Sequence, residues 1–256
     1  MFRKRRPPRT IPDNAPSLLY THVADWRVLT EPERHLLVDR AEYFLDSWTW
    51  EAARNFELTD SMCLIIAANA AVMTLGFDDV PFANVRSIVV HPSTLVSNGP
   101  RPGPIQGLMT DEPNYLAGEA HQLRGPLLLS WKAIRRETMQ HGSGLNVVVH
   151  EFAHKLDMGD GLIDGTPPMN DTARLRWIDV CTTELRQIQS GIGDHLLRDY
   201  AATNPGEFFA VASEAFFDQS LLLQVRHDRL YTVLAEFYRQ DPASRQARIQ
   251  PDGGLS

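Results

Sequence analysis

Apolar residues recur at helical spacing in two blocks of the chain, separated by a stretch that reads as strand and loop. In the first block Leu36, Leu37, Ala41, Phe44 and Leu45 mark one face of a helix over Glu31 to Trp48. Leu58 to Leu75 is a second helix, apolar on nearly every side and therefore buried. Val85 to His91 (VRSIVVH) and Gly125 to Trp131 (GPLLLSW) are short apolar runs bounded by Pro or Gly, the pattern of strands. Between them Pro92, Gly99, Pro100, Pro102, Gly103, Pro104 and Gly107 punctuate an irregular excursion of loop and short strand. Helical periodicity returns over Leu145 to Leu156, Asp171 to Gln189, Pro205 to Gln219 and Arg229 to Tyr238. The order predicts an α+β fold in which a small mixed sheet packs on a largely helical body.

Periodicity fails at both ends. Residues 1–15 are basic and proline-rich, and residues 241–256 (DPASRQARIQPDGGLS) lack regularly spaced apolar positions. Both are expected to be flexible tails around a single domain over 16–240. No internal repeat interrupts that domain.

Charge narrows the functional classes. A formal net charge of −7 argues against direct nucleic-acid binding through a broad basic surface. The longest apolar run, Met62 to Gly76, falls short of the roughly 20 residues that span a bilayer, so no membrane span is expected. The Arg-rich start is followed by Thr10-Ile11-Pro12-Asp13-Asn14 and not by an apolar run, which predicts no export signal. Cys63 and Cys181 are far apart and lack CxxC spacing, as expected of reduced thiols in a cytoplasmic protein.

The chemistry concentrates in Leu145 to Asp157 (LNVVVHEFAHKLD). His150 and His154 are four residues apart, so on a helix both imidazoles project from one face and can grip one ion. Glu151 lies about 100° round the helix from His150, where its carboxylate reaches a water at the metal without ligating it. Val148, Val149, Phe152 and Leu156 form the opposite, anchoring face, and Gly159 and Gly161 offer the helix a stop. A catalytic zinc needs a third protein ligand and an open position. The HExxHxxGxxH pattern fails, because Asp157 and Asp160 stand where Gly and His are required. Asp157 is instead placed either to fix the tautomer of a ligating histidine or to stand solvated at the helix end, and the residues leave both open. The third ligand falls to Glu207 or Glu214, seven apart on a helix that Asn204 and Pro205 begin. Spacing alone leaves the two open, and Asn204 with Glu207 also fits a capping arrangement that needs no metal.

Four segments carry a family resemblance: GPLLLSW (125–131), NVVVHEFAHKLD (146–157), DGLIDGTP (160–167) and YAATNPGEFFAVASEAFF (200–217). Over most of residues 16–242 the chain resembles the Mlc titration factor A family of zinc peptidases, similar in catalytic core to anthrax lethal factor. The resemblance implies a zincin-like metallopeptidase domain with one Zn²⁺ per chain. It assigns the third ligand to Glu207, seven residues after Tyr200, and leaves Glu214 a supporting role. It also implies aminopeptidase-type hydrolysis of small peptides and, in some members, binding of the transcriptional repressor Mlc. The Arg-rich start and the C-terminal tail depart from that family. On this reading Glu151 is the general base and Tyr200 donates to the developing oxyanion. The strand over Gly125 to Trp131 either offers an edge for an extended substrate or is covered on both sides, and the residues leave both open. The alternative is a binding module that sequesters a regulator and cleaves little.

Overall fold

The computed structural model describes residues 9–53, 56–93, 125–192 and 194–248, together with short strands inside 95–119. Ten helices occur among these residues: α1 Ala15–His22, α2 Glu31–Ser47, α3 Asp60–Val72, α4 Trp131–Glu137, α5 Val147–Asp157, α6 Asp171–Gln189, α7 Pro205–Asp218, α8 Ser220–Arg226, α9 Asp228–Tyr238 and α10 Pro242–Ala247. The strands are β1 Thr49–Ala52, β2 Ser87–His91, β3 Leu95–Ser97, β4 Arg101–Pro102, β5 Met109–Thr110, β6 Asn114–Leu116, β7 Gly118–Glu119 and β8 Leu127–Ser130. The fold is mixed α+β and mostly helical, as expected.

The main sheet has the order β1-β2-β8-β7. The first three strands are parallel, with Thr49 opposite Ser87 and Ile88 opposite Leu127, and β7 joins antiparallel. Parallel neighbours require a crossover, and α3 supplies the one between β1 and β2. Antiparallel pairs β3-β6 and β4-β5 occupy the Pro- and Gly-rich excursion. Of the two arrangements open to the strand over Gly125 to Trp131, the structure has the one paired on both sides. β8 is hydrogen-bonded to β2 on one side and β7 on the other, so the edge on that side belongs to β7.

Helix α5 lies in the middle of the molecule. Ten of its eleven residues are buried, His150 being the exception. Phe152 anchors it: its ring stacks on Trp48 at 5.0 Å and meets Phe82 edge-on at 4.8 Å, while Trp48 stacks on Phe44 of α2 at 4.3 Å. The N-terminus is fixed by Asn146, whose side chain accepts from the Val148 and Val149 amides, and by Glu137, which accepts from Val147 at 2.9 Å. Asn146 also donates to Asn69 of α3 at 2.9 Å. Asn146→Ala removes cap and bridge together and is expected to lower stability by about 1–2 kcal/mol, read as a reduced urea midpoint at unchanged slope. The C-terminus of α5 tightens into a 3-10 turn over Met158–Asp160, and Gly161 at φ 95° ends it.

Helices reach into both end stretches. Residues 1–8 and 249–256 lie outside the described residues, but the stretches beside them are ordered. Arg9 donates to Asp60 at 2.8 Å and to the Leu58 carbonyl at 3.0 Å. Ala15 begins α1 and is buried. α10 forms within the stretch expected to be loose because Asp241 caps it through Ser244 and Arg245 is bound by Glu33 at 2.8 Å and Gln240 at 2.9 Å. Those partners are remote in sequence or polar, so apolar periodicity does not register them.

Candidate metal centre

Two helices build the site, and they meet side by side. α5 contributes His150, Glu151 and His154, and α7 contributes Glu207 and Glu214. Asn204 starts α7 by accepting the Glu207 amide at 2.9 Å, with Pro205 at the first helical position. That fixes the backbone of Glu207 and leaves its side chain to turn toward α5. Gly165 locks the approach: its φ is +74°, and a Cβ there would lie 2.3 Å from the Pro205 carbonyl oxygen.

His150, His154 and Glu207 each offer a ligand atom, and these atoms lie within 4.8 Å of one another. The Glu207 Oε2 is 3.1 Å from His150 Nε2 and 3.5 Å from His154 Nε2. The two imidazole rings are 4.9 Å apart and nearly perpendicular. Glu214 stands on the other side of His150: its Oε1 is 2.8 Å from Nδ1, and its Oε2 accepts the Asn146 amide at 2.7 Å. The two glutamates that spacing could not separate thus occupy different faces of one imidazole.

The protonation pattern suits a cation. Burial acts to lower the pKa of His150, but hydrogen bonds to Glu207 and Glu214 outweigh it and push the imidazole up to about 10. Burial alone raises Glu207, whereas the hydrogen bonds from His150 and His154 carry it well below the usual carboxylate range. A proton on His150 therefore holds the place where a metal's positive charge balances the same donors. Two imidazoles and a carboxylate are a donor set that fits zinc.

Glu151 is 5% exposed, and its negative charge acts on His150, Tyr200 and Lys155. Tyr200 sits on the 3-10 turn Asp199–Ala202, its ring 6.0 Å from that of His150 and half exposed. The Gln189 side chain ties that turn to α6 through the Ala202 carbonyl at 3.0 Å. Partial burial, then the charges of Glu207 and Glu151, push the Tyr200 phenol above its ordinary value, so it remains a protonated donor.

Asp157 also contacts the loop that follows α5. It is fully buried at the end of α5, where its Oδ2 accepts the Gly165 amide at 2.9 Å and so pins the 160–167 loop. Burial raises its carboxyl to about 6. Glu214 is hydrogen-bonded to Nδ1 of His150, while the charge of Asp157 acts on His154. Sequence reading missed Arg198, which donates to Glu214 Oε1. A lone Arg two residues before Tyr200 carries no local signal; only the packing of the 3-10 turn on α7 brings it there.

Comparison with known proteins agrees with this arrangement. Residues 1–239 match the family of glucose-regulated metallopeptidases designated M90. An uncharacterized protein of Synechocystis is 32% identical over 240 residues, covering 91% of this chain and 86% of that protein. Mlc titration factor A of Salmonella paratyphi A is 32% identical over 234 residues, covering 88% and 86% respectively. Mlc titration factor A of Yersinia pestis is 30% identical over 230 residues, covering 86% and 82%. The expected resemblance therefore holds over nearly the whole length, and the chain belongs to the M90 family of glucose-regulated metallopeptidases.

Proposed function

We propose that the chain is a zincin-like, zinc-dependent peptidase of aminopeptidase type, with His150, His154 and Glu207 as the metal ligands. The observation that carries this reading is the convergence of those three donors with Glu151 on the same turn of α5. When bound, zinc supplies Lewis acidity that makes water a nucleophile at neutral pH. Glu151 takes the proton of that water as it attacks the peptide carbonyl, and passes it to the leaving amine. Tyr200 donates a hydrogen bond to the oxygen on which negative charge develops. Glu214, held by Arg198 and the Asn146 amide, keeps the His150 ring turned so that Nε2 faces Glu207.

The direct test is hydrolysis of amino-acid arylamides alongside measurement of bound metal. Chelation is expected to abolish cleavage and added zinc to restore it; cleavage that persists in metal-free protein overturns the reading. Tyr200→Phe is expected to lower kcat by about 10²-fold with metal content and KM little changed, the effect of one oxyanion donor. An unchanged kcat removes Tyr200 from the chemistry.

A second reading draws on the relatives named Mlc titration factor A. It holds that this chain binds a transcriptional repressor of the Mlc type and sequesters it. Pull-down of that repressor by the Glu151→Gln protein separates the two, since sequestration survives loss of the base. We place the protein in the cytoplasm, a reading supported by the free thiols Cys63 and Cys181; fractionation of the source cells tests it. Among the described residues no helix is long and apolar enough to cross a membrane.

A further inference from the structure

A cavity of about 700 Å³ opens at the C-terminal end of α5, walled by Lys155 and Leu156 on that helix, by Met158 on the turn after it and by the 77–86 segment. None of His150, Glu151, His154, Glu207 or Tyr200 lines it. Its volume lies within the range of small-molecule sites. Phe77, Phe82 and Phe237 give it aromatic walls, Arg86 stands exposed on its lining, and Lys155, 2% exposed, lies within. Lys155 already lies in the field of Glu151 and Asp160 stands on the same lining, so Arg86 is the exposed cation of the wall.

The walls are built and not merely left over. Arg40 donates to the Phe77 carbonyl at 2.7 Å, and Asn84 donates to the Lys155 carbonyl at 2.8 Å, so the segment is tied to α2 and to α5. Arg86 is fixed through its carbonyl, which accepts the Thr49 amide of β1 at 2.9 Å. Phe82 adopts φ +75°, a left-handed conformation that an aromatic residue rarely takes. Its ring is held there by Phe152 at 4.8 Å and Phe44 at 5.9 Å. Residues whose backbone is held in such a region gather at ligand-binding sites.

We propose that this cavity is a second binding site, separate from the metal centre, for a small amphipathic anion: an aromatic ring carrying a carboxylate or sulfonate. The ring packs against the three phenylalanines, and the anionic head is countered by Arg86. This stands whether or not the peptidase reading does, because it uses none of the metal-binding side chains.

The probe is 8-anilinonaphthalene-1-sulfonate, titrated calorimetrically into the full chain, with neutral N-phenyl-1-naphthylamine for comparison. Two variants at exposed wall positions leave the core intact: Arg86→Glu reverses the charge and Ala83→Trp fills the space. The sulfonate is expected to bind at one site and to weaken about tenfold or more in each variant. The neutral amine is expected to weaken only in Ala83→Trp. Absence of saturable binding to the native chain, or equal affinity in native and both variants, overturns the proposal. A neutral amine that binds as tightly as the sulfonate overturns its anionic half.

Discussion

Glu151→Gln is expected to lower the turnover of a cleaved arylamide by about 10²–10⁴-fold while the protein keeps its full complement of metal. The amide is nearly isosteric with the carboxylate, so the packing around this buried position survives, and neither His150 nor His154 is touched. What disappears is the proton acceptor beside the nucleophilic water. The paired measurement is metal content by emission spectroscopy and initial rate at saturating substrate. Native-like turnover in the metal-replete variant removes Glu151 as the base and leaves the metal centre without its proposed proton shuttle.

The second large effect separates the two glutamates of α7. Glu207→Gln is expected to purify without metal and without activity. The carboxylate there stands 3.1 and 3.5 Å from Nε2 of the two imidazoles, and a neutral amide is a poor substitute. Glu214→Gln is expected to keep metal but bind it about 10–100-fold more weakly, because its partner is the far nitrogen of His150. The amide can still accept from Nδ1–H, so orientation is weakened and not lost. Equilibrium titration with a competing zinc chelator measures both. A metal-replete Glu207→Gln protein, or a metal-free Glu214→Gln protein, reverses the assignment of ligand and support.

Much of the helical body was legible because its signals are local. The helix from Asp171 to Gln189 has the bounds its periodicity predicts, with Asn170 capping it through the Ala173 amide. α5 and α7 start within two residues of their expected positions, each behind an Asn cap. α4 was overlooked because Trp131–Glu137 follows β8 without a breaking residue; Ser130 ends the strand and caps the helix by accepting the Ala133 amide. α10 was overlooked for a related reason: its anchors, Asp241 and the Arg245–Glu33 pair, are polar. β1 had no neighbour of similar pattern nearby, and its partner β2 begins 35 residues after it ends.

The sequence by itself determined that one helix presents His150, Glu151 and His154 together, because the geometry of a helical turn fixes residues four apart whatever surrounds them. It also determined that Glu207 and Glu214 share a face. Only the tertiary structure decided which nitrogen of His150 each glutamate meets. The packing of α7 on α5 sends Glu207 to Nε2 and Glu214 to Nδ1 of the same ring, draws Arg198 behind Glu214, and turns Asp157 to the Gly165 amide. Those distances span 57 and 64 residues of chain for the two glutamates. Contacts so remote are set by how whole helices bury their apolar faces against one another, and no spacing rule within either helix contains that information.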